Sequence, residues 1–246
     1  GKVSTIMLNR PDMLNAVNEQ LVWDLKKATE NVMNDDSVKV VILTGAGRGF
    51  SAGADLSERK ASWSGSKDAL IRGYKPSFEN IINMPKPVIA SVPGPAAGIG
   101  AALAMSCDLR VMSEDSYLLS VFSNIALVPD GGLSWFLPKF MGYAKAYEHA
   151  IEAKKILASD CLKYGIANKV VPSDQLEQIT LDWANQLAKR SSQSLNHTKR
   201  LMRESLAMSY WDTFSNEAEI QNELTVSDQN REAVKAFLEK REPNFD

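Results

Sequence analysis

The chain has 246 residues, of which 44% are hydrophobic and 24% charged, and its net charge is −2. This composition is ordinary for a soluble globular protein, and the length suits one large domain with a sizeable core. A net charge this close to zero provides no electrostatic attraction to nucleic acid or to an anionic membrane, so we expect neither as a partner.

Cysteine and histidine are too scarce for a disulfide framework or a zinc site. Cys107 and Cys161 are the two cysteines, which favours a reducing compartment. His149 and His197 lack the spacing of metal ligands, so no metal site is expected. No apolar run approaches about 18 residues and no charged-then-apolar leader opens the sequence. We therefore expect a cytoplasmic protein.

The first predicted elements alternate between strand and helix. Alternating residues 3–8 predict a strand, and apolar residues at helical spacing predict an amphipathic helix over 18–33. Residues 38–44 form a nearly continuous apolar run, which is typical of a strand in a parallel sheet covered on both faces. A glycine-rich loop, residues 45–56, follows this strand.

The middle of the chain continues the alternation. Residues 57–68 are polar and aperiodic, and helical spacing resumes over 71–84. Residues 86–108 predict a strand, a Pro-Gly-Pro turn and a buried helix of small residues. Short strands are predicted over 109–112 and 117–119.

The last third is mainly helical. Helices are predicted over 133–141, 143–153, 159–164 and 173–190, with a short strand over 167–171. From residue 195 to 238 the pattern is helical, with Tyr210, Trp211 and Phe214 as an expected packing cluster. We predict an α/β core over 1–190 and a helical region over 191–246 that packs on the core, on a neighbouring subunit, or on both.

The segment Gly98-Ile99-Gly100 has two interpretations. Its small residues allow a central helix to pack closely between layers. Alternatively, it lies at a helix N-terminus, where unpaired N–H groups favour an anion or a developing oxyanion.

The loop 45–56 has three interpretations. A dinucleotide fingerprint is disfavoured because Phe50 stands where the third glycine is required. A nucleophile elbow matches G-x-S-x-G around Ser51, and Asp130 followed by either histidine completes the order of a serine hydrolase. However, the strand ends near Thr44 rather than at the elbow. In the third interpretation, the N–H groups after Gly53 and those of residues 98–100 converge on one oxyanion, as acyl chemistry requires.

Five segments together resemble the crotonase superfamily, the enoyl-CoA hydratase/isomerase group: LNRPDMLNAVN, TGAGRGFSAGADL, KPVIASVPGPAAGIGAALAMSCDLRV, NIALVPDGG and FLEKREPNF. The resemblance covers nearly the whole chain in order and spacing. It implies a spiral core of ββα units and a helical C-terminal region used in trimerisation, as a homotrimer or a dimer of trimers. It also implies a CoA thioester whose carbonyl accepts hydrogen bonds from the N–H groups of Ala54 and Ile99.

The resemblance also implies which residues contact CoA. Lys240 is a candidate phosphate contact, with a solvated helix charge as the alternative. Asp12, Met13 and Leu14 are expected near the nucleotide end. The residues expected along the CoA and its thioester are Ala52, Gly53, Ala54, Asp55, Leu56, Gly98 and Ile99. No other cofactor is expected, because CoA arrives as part of the substrate.

The chain departs from the hydratases of this family at their two glutamates. Ala102 and Phe122 occupy those positions, and neither side chain moves a proton. Asp130 remains, in a segment LVPDGG that resembles the ring-opening isomerases of phenylacetate degradation. Burial of Asp130 would raise its pKa and make it a competent base. The alternative is that Asp130 caps a helix starting near Gly131.

The residues and the resemblance together predict an isomerase that shifts a double bond of an enoyl-CoA from the 3,4 to the 2,3 position. Ala54 and Ile99 would stabilise the dienolate, and Asp130 would move the proton. Phe122, Trp135 and Phe136 are candidates for the acyl pocket, with simple core packing as the alternative. An enoyl-CoA hydratase, a serine hydrolase and a non-catalytic acyl-CoA-binding protein remain open.

Overall fold

The structure is a computed structural model that describes residues 1–58 and 62–245. Its strands are β1 Val3–Leu8, β2 Val40–Gly45, β3 Val88–Val92, β4 Ala96–Ala97, β5 Leu109–Ser113, β6 Tyr117–Leu119, β7 Lys155–Leu157 and β8 Lys169–Val171. Its helices are α1 Glu19–Asn34, α2 Ser66–Asp68, α3 Lys75–Asn83, α4 Ile99–Ser106, α5 Leu133–Met141, α6 Tyr143–Ile151, α7 Ala158–Lys163, α8 Leu176–Ala188, α9 Ser192–Ser205, α10 Tyr210–Thr225 and α11 Asp228–Glu239. A π-helical segment, Ala69–Tyr74, joins α2 to α3.

A five-stranded parallel sheet, in the order β1-β2-β3-β5-β8, forms the centre of the fold. Its inner strands β2 and β3 are almost entirely buried, as the continuous apolar run at 38–44 predicted for β2. A second sheet has three strands in the order β4-β6-β7, with β6 and β7 antiparallel. The predicted α/β class, with a parallel sheet and a helical C-terminal region, is confirmed.

The two faces of the parallel sheet have separate cores, because successive side chains of a strand point to opposite faces. On one face Val40, Ile42 and Ile89 pack with residues of α8. On the other face Val41 and Leu43 belong to the larger core, which includes residues of α1, α3 and α4. The helix α4 is buried along its whole length, so its small residues bring the backbone close to the strands.

Several predicted boundaries change for tertiary reasons. The short strands β4 and β7 carry no distinct sequence pattern and exist because both pair with β6. The helical stretch 195–238 is three helices, α9, α10 and α11, and Ser209 and Ser227 cap the last two. The predicted irregular stretch 57–68 is helical from Ser66 onwards, while residues 59–61 lie outside the described residues.

The helix α9 is tied to the core by a cluster of charges. Asp108 follows α4 and accepts hydrogen bonds from Lys199 at 2.8 Å and from Arg203 at 2.7 Å. The Oδ2 atom of Asp108, which pairs with Lys199, also accepts a hydrogen bond from the Val88 N–H at 2.8 Å, at the start of β3. One carboxylate therefore joins the central sheet to the first C-terminal helix.

The predicted packing cluster on α10 forms, but it lies on the surface of the single chain. Tyr210, Trp211 and Phe214 do contact one another, with ring centroids 5.0 to 6.4 Å apart. All three nevertheless remain more than half exposed, at 70%, 72% and 54%. Helical spacing brings the rings together, but no core element of this chain covers them.

Candidate active site

Two loops that lie far apart in the sequence are held side by side. The N–H groups of Phe50 and Ser51 donate to the Pro95 carbonyl at 3.0 and 3.1 Å, and the Ala97 N–H donates to the Ser51 carbonyl at 2.8 Å. Gly53, with φ +98, lies so close that a Cβ there would be 2.9 Å from the Ala97 oxygen. The close approach therefore requires glycine at position 53.

The two predicted oxyanion donors lie next to this junction. Gly98 is the N-cap of α4 with φ +52, and Ile99 is its first helical residue, so the Ile99 N–H belongs to the unpaired first turn. Among residues 1–58 and 62–245, neither the Ala54 N–H nor the Ile99 N–H donates to a protein acceptor. Both residues line the same cavity. Their backbone N–H groups are thus available to an oxygen atom held there.

Ser51 serves the structure of the loop. Its hydroxyl donates to the Asn15 carbonyl at 2.8 Å, accepts from the Gly53 N–H at 3.2 Å, and is fully buried. The histidines lie elsewhere, with His149 against the Lys154 carbonyl and His197 on α9, 3.8 Å from Glu223. The Ser-Asp-His arrangement of the hydrolase interpretation is therefore not formed.

A cavity between these loops, called the loop cavity, has a volume of about 520 Å³. The predicted residues that line it are Ala52, Gly53, Ala54, Asp55, Leu56, Gly98, Ile99, Phe122 and Asp130. The resemblance had placed seven of these along the CoA and its thioester, and the fold brings all seven together.

The second cavity, called the aromatic cavity, has a volume of about 660 Å³ and a mainly apolar lining, to which Lys75, Glu79 and Arg203 also contribute. Leu70, Tyr74 and Asp130 line both cavities. The other apolar side chains around the aromatic cavity are Ile71, Phe78, Ile82, Trp135 and Phe136. Trp135 and Phe136 were predicted beside Phe122, whereas Phe122 lines the loop cavity. Asp130 lies where the two cavities meet.

Asp130 is a half-buried carboxylate with an unused oxygen. Its Oδ1 is buried and has no hydrogen-bond partner among the described residues. Burial raises the pKa of Asp130 to about 6, because desolvation disfavours the charged form. The helix-capping alternative is wrong, since α5 begins at Leu133, its N-cap is Gly132, and no side chain caps it.

The other carboxylates of the loop cavity are engaged with protein groups. Asp55 accepts from Ser57 at 2.6 Å and from Arg10 at 2.9 Å, and these contacts hold its pKa below the usual range. Glu58 accepts from the Glu19 N–H at 2.9 Å, at the start of α1. Asp130 therefore differs from both in having a buried oxygen without a partner among the described residues.

The residues predicted near the nucleotide end of CoA lie beside the loop cavity but do not line it. Asp12 and Met13 are in an exposed 3-10 turn. Leu14 follows with φ +49, and its carbonyl accepts from the Ala52 N–H at 2.8 Å. Lys240 ends α11, is exposed, and lines neither cavity. A CoA contact by these four residues stays a prediction.

Tyr74 lines both cavities, and the sequence pattern did not single it out. It lies in a stretch with ordinary helical spacing, and the π-helical segment that carries it has no signature in the residue pattern. Burial raises the pKa of Tyr74 to about 12, and the charges of Asp130, Glu58 and Asp55 raise it further in the same direction. Tyr74 therefore remains a neutral phenol beside Asp130.

Within the described residues, His, Cys, Asp and Glu side chains form no group of three that is suited to hold a metal ion. No helix in the part of the chain described is both long and apolar enough to cross a lipid bilayer.

Comparison with known proteins identifies the family. The model of the enoyl-CoA hydratase/isomerase family matches residues 1–246. The chain is 33% identical to 1,2-epoxyphenylacetyl-CoA isomerase of Escherichia coli, over 99% of this chain and 94% of that protein. It is 32% identical to short-chain-enoyl-CoA hydratase of Clostridium acetobutylicum, over 98% and 93%. The crystal structure of an enoyl-CoA hydratase from Polaromonas sp. JS666 superposes with a TM-score of 0.93 at 28% identity, over 99% and 96%. The chain therefore belongs to the enoyl-CoA hydratase/isomerase family and has the crotonase fold.

Proposed function

We propose that this protein is an acyl-CoA isomerase that shifts a carbon–carbon double bond from the 3,4 to the 2,3 position of an enoyl thioester. The observation that carries the proposal is the state of Asp130. Its carboxyl group lies between the two cavities, one oxygen has no partner in the part of the chain that the structure describes, and burial raises its pKa to about 6. A base of this kind ionises near neutral pH and retains affinity for a proton.

In the proposed reaction the thioester carbonyl accepts hydrogen bonds from the Ala54 and Ile99 N–H groups. Asp130 removes a proton from C2, and the electron pair delocalises onto the thioester oxygen and, through the 3,4 double bond, onto C4 as a dienolate. Asp130 then returns the proton to C4, so the double bond lies between C2 and C3. Loss of one oxyanion donor typically costs about 3 kcal/mol of transition-state stabilisation. No water is added. One carboxyl group is sufficient, because the proton that it removes from C2 is the proton that it returns to C4.

The side chains around Asp130 support a reaction with a single acid/base. By the sequence resemblance, Ala102 and Phe122 stand where the hydratases of the family would carry glutamates. Ala102 is fully buried, and Phe122 is 5% exposed and lines the loop cavity. Neither residue supplies the second proton-transfer group that hydration requires.

The cavities support an apolar acyl group. The CoA portion would extend from the thioester along Ala52–Leu56, and the acyl chain would pass Asp130 into the aromatic cavity. The Escherichia coli relative, by its name, acts on a phenylacetyl-CoA derivative. We propose a hydrophobic or ring-derived acyl group, with no cofactor besides the CoA of the substrate.

We also propose that the helical region 191–246 mediates self-association into a homotrimer or a dimer of trimers. Large apolar side chains of this region are exposed and uncovered by the rest of the chain. They include Tyr210, Trp211, Phe237 and Leu238, at 70%, 72%, 81% and 74% exposure. Sedimentation equilibrium of the native protein tests this, and a monomer at micromolar concentration would contradict it.

The second candidate is an enoyl-CoA hydratase. Glu58 lines the loop cavity together with Asp130 and is the observation that favours it. If Glu58 exchanged its bond to the Glu19 N–H for one to a water molecule, two carboxyl groups would be available for hydration.

Exchange of the C2 proton of 3-hexenoyl-CoA in deuterated water distinguishes these functions. We expect rapid exchange and double-bond migration with the native protein, and a loss of about 10²- to 10⁴-fold in Asp130→Asn. Asp115→Asn is the matched control, because Asp115 is exposed, accepts a hydrogen bond from Ser173 and lines neither cavity. Equal rates in Asp130→Asn and native protein would contradict the assignment. Hydration of crotonyl-CoA, seen as loss of ultraviolet absorbance and abolished by Glu58→Gln, would favour the hydratase.

A further inference from the structure

A short parallel bridge sets the direction of the Ala54 N–H group. Val17 and Ala54 are the paired residues of this bridge. The Val17 N–H donates to the Gly53 carbonyl at 2.7 Å, and the Asp55 N–H donates to the Val17 carbonyl at 3.0 Å. Backbone groups of successive residues in an extended segment point to opposite sides. The Ala54 N–H lies between these two bonded groups, so it is directed away from Val17, and the bridge decides where this donor points.

Arg10 joins the two sides of this bridge. Its Nη1 atom donates to the Ala16 carbonyl and also to Asp55 Oδ2, the latter at 2.9 Å. Ala16 precedes Val17 on one side, and Asp55 follows Ala54 on the other. Arg10 itself lines neither cavity. One guanidinium group therefore fixes the bridge without touching the space that a substrate would occupy.

The backbone of Arg10 is itself anchored by Asn15. The Arg10 N–H donates to Asn15 Oδ1 at 2.9 Å, and the Asn15 N–H donates to the Arg10 carbonyl at 2.9 Å. Asn15 is fully buried, and its Nδ2 atom donates to the carbonyls of Ala46 and Gly49 at 2.9 and 2.8 Å. The guanidinium group of Arg10 therefore extends from a turn that is already bonded to the start of the loop 45–56.

The ion pair between Arg10 and Asp55 differs from an ordinary surface pair. Exposed pairs contribute little to structure, because water screens them. The side chain of Asp55 is only 6% exposed and that of Arg10 is 28% exposed. Ser57 binds the other oxygen of Asp55, Oδ1, from within the same loop. Arg10 therefore provides the link between this carboxylate and the segment 10–17, and charge-assisted hydrogen bonds of this kind are strong.

We propose that Arg10 is a positioning residue for the oxyanion site, which holds the Ala54 N–H in the direction that the thioester oxygen requires by joining Ala16 to Asp55. This inference rests on the proposed function for the position of the thioester carbonyl against the N–H groups of Ala54 and Ile99. Misplacement of a group in an active site by about 1 Å costs about 10²-fold in rate. The donor acts mainly on the charge that develops in the transition state, so turnover should change more than substrate binding.

The test measures the donors directly through the carbonyl group of a bound thioester. The ligand is hexanoyl-CoA labelled with carbon-13 at C1, and infrared difference spectroscopy records its carbonyl stretching band. Hydrogen bonds polarise the carbonyl, so native protein should shift the band to lower frequency. We expect Arg10→Gln to lose at least about half of that shift and about 10- to 10²-fold in kcat for 3-hexenoyl-CoA, with KM changed less than about threefold. Asp55→Asn breaks the same ion pair, so the double variant should lose no more than Arg10→Gln alone.

Two control variants separate positioning from a general loss of stability. Thr29→Ala removes a buried hydroxyl group of α1 that donates to the Leu25 carbonyl and accepts from Asn80, away from both cavities. It should lower the urea midpoint of unfolding and leave the carbonyl band unchanged. Arg190→Gln makes the same chemical change as Arg10→Gln on an exposed residue beyond the end of α8, and it should alter neither the band nor kcat.

Hexanoyl-CoA has no double bond, so the band does not depend on turnover, and failure of this inference is distinct from failure of the proposed isomerase. A native band shift that persists in full in Arg10→Gln would overturn the role of Arg10, as would an equal change in Thr29→Ala or no shift in the native protein. If Arg10→Gln does not fold, the band of Asp55→Asn decides the question in the same way. Absence of proton exchange in native protein that does shift the band would overturn the isomerase and leave the role of Arg10 standing.

Discussion

Gly131 packs directly on Ala102. A Cβ at Gly131 would lie 2.6 Å from the Ala102 Cβ and 2.7 Å from the Ile99 Cδ1, and Gly131 has φ +59. Ala102 is fully buried on α4, whose first residue supplies the Ile99 N–H. The turn that carries Asp130 is therefore seated on the helix that carries an oxyanion donor, and one contact places both groups.

This contact predicts the outcome of restoring a glutamate at position 102. Ala102→Glu must displace the turn at Gly131, because no room exists between them for a larger side chain. We expect Ala102→Glu to lose isomerase activity at least about tenfold without gaining crotonyl-CoA hydration. Both rates are measured with the same enzyme preparation. Ala102→Ser is the matched control and should keep at least about half the native rate. Efficient hydration by Ala102→Glu would show that the turn has room to move.

The Ile99 donor can be removed without removing the helix. Proline is tolerated at the first position of a helix, where its missing N–H has no intrahelical partner. Gly98, with φ +52, precedes it in a conformation that glycine adopts easily. We expect kcat of Ile99→Pro to fall about 10²- to 10³-fold below that of Ile99→Ala. Ile99→Ala loses the side chain but keeps the N–H, so equal rates for these two variants would remove Ile99 from the oxyanion site.

The raised pKa of Asp130 predicts the acid limb of the pH profile. The base must be ionised in the free enzyme, so kcat/KM for 3-hexenoyl-CoA should be constant above pH 7. It should fall about tenfold per pH unit below the pKa of about 6. CoA phosphates titrate nearby, so the dissociation constant of hexanoyl-CoA is measured over the same range. A profile that breaks near pH 4, with unchanged binding, would contradict burial of Asp130.

The same pKa predicts that Asp130 reduces stability at neutral pH. The folded-state pKa lies above the ordinary value of 3.8, so the native state binds more protons between pH 4 and 6, and stability falls as pH rises through that window. Asp130→Asn removes the buried charge. Because cavity solvent screens part of the effect, we expect about 1 kcal/mol of stabilisation at pH 7 and none near pH 3.5. Urea unfolding at the two pH values measures this, and an equal effect at both would contradict it.

The Asp108 cluster predicts how the C-terminal helices are held. Lys199 is 8% exposed and Asp108 is 16% exposed at the side chain, so Asp108→Asn leaves a buried ammonium without its counter-charge. We expect destabilisation of about 3 to 5 kcal/mol in urea unfolding. Glu148→Gln is the control, because its ion pairs with Lys145 and Lys154 are solvent-exposed and should not alter unfolding measurably. Equal effects of the two variants would show that the cluster contributes no more than a surface pair.

Much of the fold follows from local pattern. The continuous apolar run at 38–44 predicted a covered parallel strand, and β2 is that strand, although it begins at Val40. Helical spacing predicted α1, α5 and α8 within a few residues. The strands β4 and β7 were missed because two or three residues hold no period of their own, and their pairing with β6 alone defines them.

The candidate site was predicted in part. Glycines at 53 and 98, next to alanine-rich segments, indicated exposed N–H groups, and a lone carboxylate in LVPDGG indicated a base. Tyr74 was missed because its stretch has the spacing of an ordinary amphipathic helix. Its position in the walls of the two cavities depends on where the π-helical segment packs, and helical spacing does not encode that.

The sequence by itself determined the class of fold, the two glycine-rich loops and the candidate carboxylate, because burial faces and glycine positions are local properties of the chain. Only the tertiary structure decided that Ser51 is a buried loop residue, that Asp130 does not cap α5, and that Tyr74 adjoins it. Those facts depend on distances between segments tens of residues apart. The order of the strands and the contact between Gly131 and Ala102 set such distances. Neither can be read from the sequence of a single segment, because each depends on two segments that meet only in the folded chain.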